Sequence, residues 1–373
     1  MRFIVSSGSL LKNLQNINGI VSTNTVLSVL EDFLFELKGN TLTLTATDLE
    51  TMVKVSMEVN DAKGDGEICI PSKILVEYLK NLPEQPVTFN INEKELSIEM
   101  SSDVGKSKIG GEKSDEFPKE PPAGETTNFS MPAINLVECI NNTLFAVSND
   151  SLRPAMTGVY FDLSPEKLTV VSTDAHRLVK YSLSDVSCPE TQGLIVPKKP
   201  LQQLRNTLPT DATPVEISYN SNHLFVKTDA LSLSCRLLDA RYPDYNGVIP
   251  KENPFNLSTN RADLISSLKR VSIFSSKTTS QVVFEINGNS LQLSAQDIDF
   301  SYEGTEKLNC QYSGEDMKIG FNARLLIELL SNLTDEEVIL ELSSPSRAGI
   351  LKPSTSEDNE DILMLIMPLM VGA

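Results

Sequence analysis

Leu42-Thr-Leu-Thr-Ala-Thr-Asp48 recurs as Leu168-Thr-Val-Val-Ser-Thr-Asp174 and once more as Leu291-Gln-Leu-Ser-Ala-Gln-Asp297. The aspartates lie 126 and 123 residues apart in a chain of 373. Solenoid periods run roughly 20–50 residues, so a period this long is a whole domain in triplicate. Other landmarks keep the spacing. Ile70-Pro-Ser-Lys73, Val196-Pro-Lys-Lys199 and Phe321-Asn-Ala-Arg324 each open an apolar-periodic segment. Ser22, Ser148 and Ser275 close the helical pattern that starts each copy, and Phe35, Phe161 and Phe284 begin the strand before each aspartate motif. Three copies of one fold suit a scaffold or a ring better than a single catalytic centre.

Each copy reads as helix, strands, helix, strands. Apolar residues at helical spacing predict helices over 7–20, 71–83, 130–148, 196–209, 259–276 and 320–333. Phe33–Lys38 and Thr41–Ala46 flank the turn Gly39-Asn40 as hairpin arms do, and Met52–Val59 alternates like a half-buried strand. Val87–Asn92 and Glu95–Met100 alternate again, with Val215–Tyr219 and His223–Lys227 as counterparts. The class is α+β: paired helices covering antiparallel sheets. Linkers near Pro118–Asn128 and Pro250–Pro254 give domains over 1–120, 128–248 and 254–373. The acidic stretch Glu357–Asp361 is expected as a surface loop leading into the apolar tail Ile362–Val371. An arc of three such domains would have two free sheet edges, which a second chain could pair.

The net charge of −18 argues on its face against nucleic acid. The charge is segregated, however. The six helical segments carry ten bases: Lys12, Lys73, Lys80, Lys198, Lys199, Arg205, Arg261, Lys269, Arg270 and Arg324. They carry four acids, Glu77, Glu138, Asp263 and Glu328, which makes them +6 against −24 for the remainder. One reading is that helices favour lysine and arginine while acids gather in turns. The other is a weakly positive helical surface on an acidic body, which would repel a polyanion everywhere else.

The N-terminal Met1-Arg-Phe-Ile-Val-Ser-Ser7 lacks the apolar core of a signal peptide, and no apolar run reaches membrane-spanning length. Five cysteines, Cys69, Cys139, Cys188, Cys235 and Cys310, form no CxxC pair and are expected as reduced core thiols of a cytoplasmic protein. No phosphate-binding glycine loop or metal-spaced Cys/His cluster occurs, so neither a metal nor a cofactor is expected. Asp174-Ala-His176-Arg177 gathers an acid, an imidazole and a guanidinium. As Asp174 is the repeated aspartate, a turn-capping role is favoured over catalysis. His176 and Arg177 belong to one copy alone and suit a binding site grafted onto the common fold. The alternative is an enzyme or repeat adaptor unrelated to DNA, with Asp174, His176 and Arg177 as its site.

Over its whole length the chain resembles the beta subunit of bacterial DNA polymerase III, the sliding clamp. The resemblance rests on Thr173-Asp-Ala-His-Arg-Leu178, Arg241-Tyr-Pro-Asp-Tyr245, Ile195-Val-Pro-Lys-Lys199 and Met367-Pro-Leu369, in the family's order and on its threefold repeat. It implies three tandem clamp domains, closed head to tail by a second chain into a homodimeric ring with twelve helices around double-stranded DNA. Twelve helices spaced ~9 Å apart give a circle ~35 Å across, and removing a helix radius of ~5 Å at each side leaves ~25 Å, enough for a duplex.

The resemblance also implies a non-enzymatic processivity role and a groove for short linear peptides of polymerase subunits, the clamp loader and repair proteins. By residue match that groove comprises Met156, Thr173, Ala175, His176, Arg177, Leu178, Pro243, Val248, Leu365, Ile366, Met367, Pro368 and Leu369. Arg177 is expected there as a polar anchor beside an adaptable apolar tail. Lys73, Lys198, Lys199, Arg205, Lys269 and Arg270 are the expected DNA contacts. Lys106, Lys108 and Ile109 on one edge, facing Ile273, Phe274, Glu303 and Glu306 on the other, are the expected dimer contacts. Asn24, Pro154, Ala155, Ala175, Gly247 and Met370 depart from the family's usual residues.

Overall fold

The structure is a computed structural model that describes residues 1–22, 27–355 and 359–371. Asn24 and positions 357 and 358 of the acidic stretch lie outside the described residues. The six expected helices form, each shorter than its apolar pattern: α1 Ser7–Asn18, α2 Ser72–Lys80, α3 Ala133–Thr143, α4 Lys198–Thr207, α5 Arg261–Val271 and α6 Ala323–Ser331. Side-chain caps fix three starts. Ser6 accepts from the Ser9 amide at 3.3 Å, Asn260 from Asp263 at 3.0 Å, and Asn322 from Arg324 and Leu325 at 3.0 and 3.2 Å. Pro71 and Pro197 hold the cap position of α2 and α4. Pro83 and Pro209 stop those two helices early, and 3-10 turns at Leu144–Ala146 and Ser272–Phe274 take up the ends of two others. The trimmed helices keep all ten bases and all four acids, so the charge contrast is sharper than the sequence reading made it.

The chain forms two compact units, Met1–Ile140 with Val196–Asp239, and Asn141–Ile195 with Ala240–Ala373. The division cuts through the expected middle domain, and sheet continuity is the reason. In the first unit, Thr127–Pro132, Pro214–Tyr219, His223–Lys227 and Leu231–Arg236 run on into Thr51–Glu58, Thr41–Thr47, Asp32–Lys38 and Gly66–Pro71 as one eight-stranded sheet. The seam between repeats is antiparallel, with Val53 opposite Leu233. The second unit repeats this in a nine-stranded sheet, where Arg177–Leu183 pairs with Glu360–Ile366 and Val179 stands opposite Met364. Among the described residues two smaller sheets end in strands with an unpaired edge. Gly105–Gly110 borders the five-stranded sheet of the first unit, and Tyr302–Asn309 borders the four-stranded sheet of the second.

Burial follows the two periods. In the first unit Leu10 and Leu14 of α1 are fully buried, as are Phe3 and Phe89, whose rings stack at 4.9 Å. In the second, Leu264 and Leu268 of α5 and Leu326, Leu329 and Leu330 of α6 share a core with Phe284, Leu291, Leu293 and Phe321. All five cysteines are buried and outside any disulfide.

The repeated aspartate builds the same turn in two copies. Asp48 Oδ1 accepts from the amides of Glu50 and Thr51 at 3.2 and 2.7 Å, and Asp174 Oδ1 from those of His176 and Arg177 at 2.9 and 3.0 Å. The residue after each aspartate takes a left-handed backbone: Leu49 has φ 78° and Ala175 φ 74°. In the third copy the turn is two residues longer, since Ala295 pairs with Gly304 where Ala46 pairs with Val53, and Ser301 takes the positive φ.

Candidate functional site

The second unit holds a cleft of about 920 Å³, toward the upper end of the ~300–1,000 Å³ usual for ligand sites. Its floor is made by Leu178 and Leu365, both buried and directly opposite each other across the strand pair that joins the middle and last repeats. Met156, Thr173, Ala175 and Pro243 line it further, while Val248 (55% exposed) and Met367 (43% exposed) stand as apolar walls open to solvent.

The segment Arg241–Tyr245 supplies one wall because its tyrosines turn inward. Tyr242 stacks on Tyr160 at 4.6 Å and donates its hydroxyl to the Val171 carbonyl at 3.3 Å. Tyr245 donates to Asp162 Oδ2 at 2.6 Å. Burial raises both phenols above their ordinary range, with Asp162 adding to the effect at Tyr245, so both stay neutral donors. They pin the segment to the sheet and leave Pro243 at the cleft.

Arg177 plays a different part from the one expected. It lines the cleft, yet it is 5% exposed and its donors are engaged within the chain. Nε reaches Asp174 Oδ2 at 3.1 Å, Nη1 reaches Glu328 Oε2 at 2.8 Å, Nη2 reaches the Phe145 carbonyl at 2.8 Å, and the guanidinium lies over the Phe145 ring. It is a brace between the aspartate turn, α6 and Phe145 rather than a free polar anchor. The same bonds occupy both oxygens of Asp174, so the acid–imidazole–guanidinium cluster has no idle carboxylate for catalysis.

Nine of the thirteen expected groove residues line the cleft: Met156, Thr173, Ala175, Arg177, Leu178, Pro243, Val248, Leu365 and Met367. The other four do not. Ile366 is fully buried in the core of the last repeat. Leu369 bridges to Gly320, its amide donating at 2.8 Å, and Pro368, next to it in sequence, is not part of the cleft lining. His176 is exposed on the turn, where its carbonyl accepts from the Met367 amide at 2.9 Å. The cleft is lined as well by Gly247, noted in the sequence only as a departure from the family, and by three stretches that the sequence did not single out as groove residues: Asp244–Asn246, Ile249–Glu252 and Ser346–Ala348. The first two flank Pro243 and Val248 and could have been found by extending that segment. The third is brought in by the pairing of Gly349 with Ile366, which has no local signal.

The expected DNA contacts lie on helices, but in two conditions. Lys73, Arg205 and Lys269 are exposed on α2, α4 and α5, and Lys198 is half-buried at the start of α4. Lys199 instead holds Asp48 Oδ2 at 2.6 Å and the Ile20 carbonyl at 3.1 Å. Arg270 holds both oxygens of Glu306 at 2.6 and 2.7 Å. These hydrogen bonds keep the Glu306 carboxyl below its usual range. Arg270 and Glu306, expected in two different interfaces, thus satisfy each other. The remaining dimer candidates are on the two unpaired strands, Lys106, Lys108 and Ile109 on one and Glu303 on the other, with Ile273 (73% exposed) and Phe274 on the turn after α5. Among the described residues no group of three or more His, Cys, Asp or Glu side chains could hold a metal ion. No helix there is long and apolar enough to cross a membrane.

A two-helix, antiparallel-sheet domain used three times in series is the architecture of the DNA clamps. Three domain families match in series: DNA polymerase III beta subunit, N-terminal domain over residues 1–121, central domain over 130–244 and C-terminal domain over 246–369. The chain belongs to the DNA polymerase III beta subunit family. It is 26% identical over 370 residues to the beta sliding clamp of Pseudomonas aeruginosa, covering 99% of this chain and 100% of that one. It is 29% identical over 372 residues to the beta sliding clamp of Chlamydia pneumoniae, covering 99% of each. The crystal structure of the DnaN sliding clamp of Bartonella birtlesii bound to griselimycin matches over the full length of both chains, with a TM-score of 0.93 at 26% identity.

Proposed function

We propose that this chain is a DNA sliding clamp: a non-catalytic processivity factor that closes as a head-to-tail homodimer around duplex DNA and tethers replication and repair proteins. The observation that carries the reading is the charge segregation. Six helices hold ten bases and four acids in a chain of net charge −18. Helices turned toward a duplex attract phosphates without reading sequence, while the acidic remainder keeps the polyanion from binding elsewhere. Loose attraction of this kind permits sliding.

The cleft is the tether. Its buried leucine floor and its exposed Val248 and Met367 suit the apolar side chains of an extended Gln-Leu-x-Leu-Phe type peptide, each stabilised by roughly 1.5–3 kcal/mol when fully buried. The polymerase, the clamp loader and repair proteins would dock there by such peptides. Loading onto nicked circular DNA, followed by linearisation, tests the whole reading. A clamp stays on the circle and is lost from the linear form. Equal retention on both, or on neither, would sink the proposal.

A further inference from the structure

We propose that Gln281 is a positioning residue for the peptide cleft: it clasps the segment after Ile366 so that Met367 stands fixed as one of the cleft walls. This role rests on the peptide-cleft reading, and Gln281 itself lies outside the cleft lining.

The clasped segment leaves one sheet and lands on another. Ile366 is fully buried and pairs with Arg177 and Gly349 in the nine-stranded sheet. Three residues on, Leu369 bridges to Gly320 in Met317–Asn322, the strand that borders the four-stranded sheet beside Gln281–Asn287. Met367 and Pro368 span the step, and Met367 lines the cleft from there. No residue from Met367 to Val371 is buried. A stretch with so few buried contacts opens locally at little cost unless hydrogen bonds hold it.

Among the described residues three hydrogen bonds do so. The Met367 amide donates to the His176 carbonyl at 2.9 Å, the Leu369 amide to the Gly320 carbonyl at 2.8 Å, and Gln281 Nε2 to the Met370 carbonyl at 3.0 Å. Pro368 has no N–H to offer. Only the Gln281 bond comes from a side chain, and its surroundings are shaped for it. Ser280, just before it, holds a left-handed backbone at φ 48° that is fixed from both sides. Its amide donates to the Ser276 carbonyl and its carbonyl accepts from the Ala323 amide, each at 2.8 Å. Across from Gln281, position 320 is a glycine. A Cβ there would come within 2.6 Å of Gln281 Nε2 and 2.8 Å of the Leu369 carbonyl oxygen. Gly320 thus leaves the room in which side chain and tail backbone meet. A methionine adapts to many partner side chains, but ordering a loose wall on binding subtracts from affinity. The clasp removes that cost beforehand.

Calorimetry on the full chain with a Gln-Leu-x-Leu-Phe type peptide tests this. Gln281→Leu removes the donor while leaving the strand pairing with Asn322 in place. It is expected to weaken the peptide about fivefold at an unchanged melting temperature, and to speed hydrogen exchange at the Leu369 amide. Gln281→Lys restores a donor and should recover most of the affinity. Gly320→Ala breaks the clasp from the other side and should give a similar loss. Action through Met367 also predicts coupling: with Met367→Ala in place, Gln281→Leu should change affinity by less than about twofold. Undiminished affinity in Gln281→Leu, or its full loss persisting beside Met367→Ala, overturns the positioning role and leaves the cleft standing. A peptide that fails to bind the unaltered chain overturns both.

Discussion

Asp32 is the side chain whose surroundings suit it least. It is 4% exposed at the start of its strand, and Oδ2 has no hydrogen-bond partner among the described residues. Burial, then Glu112 and Glu31, push its carboxyl up from 3.8 to about 7. An unfolded chain ionises this acid near pH 4, while the fold keeps it protonated to about pH 7. Stability therefore falls as pH rises between those values, by about 1.4 kcal/mol per unit at most, and is level above. In denaturant melts Asp32→Asn should flatten that slope between pH 4.5 and 7, and identical slopes in both proteins would exclude Asp32 as the group. Ala175 stores strain of another kind, a left-handed backbone at φ 74° on a residue with a Cβ. Ala175→Gly should raise stability by about 1 kcal/mol, since the turn bonds run from the backbone amides of Ala175 and His176 to Thr173 Oγ1 and Asp174 Oδ1 and need no side chain at 175. A lower melting temperature would show the methyl to be a packing contact instead.

At the scale of elements, the repeat and its helices were legible because each copy carries its own hydrophobic period and its own caps. Arg177 was not, because its partners Glu328 and Phe145 are remote in sequence and no local pattern announces a buried ion pair. The C-terminal tail was half legible. Its apolar run is a real strand, Glu360–Ile366, central in a nine-stranded sheet, and of the expected tail residues only Leu365 and Met367 line the cleft. Truncation from Ile366 onward would remove a fully buried core residue and the Leu369–Gly320 bridge, so it would damage the fold and test nothing about peptides. Val248→Asp and Met367→Asp touch only the exposed cleft walls. Each should weaken a Gln-Leu-x-Leu-Phe type peptide at least about tenfold by calorimetry, through lost apolar burial, with the melting temperature unchanged. Unaltered affinity in both would move the peptide site away from the cleft.

For the whole molecule, the strength of DNA contact depends on how many helix bases remain available, and the ion pairs decide that. Lys199 and Arg270 each hold a carboxylate at 2.6 Å. To reach a phosphate either must leave that partner, an exchange of one anion for another with little net gain. Each phosphate that is neutralised contributes about 0.9 to the slope of log affinity against log salt. Neutralising Lys198 and Lys199 together would lower the slope by about two if both touched DNA. With Lys199 held by Asp48 and the Ile20 carbonyl, the expected fall is about one, and Lys199→Ala alone should leave the slope nearly unchanged while lowering thermal stability. Arg205→Ala and Lys269→Ala, on exposed positions without a carboxylate partner among the described ion pairs, should each lower it by about one. The measurement is binding of the dimer to a closed duplex circle between 50 and 200 mM salt, the span over which ~10 phosphate contacts change affinity by up to ~10⁵. A fall of two for the double variant would show that Lys199 trades Asp48 for phosphate. No change in any variant would mean that the six helices do not face the duplex, and the charge segregation would then need another cause.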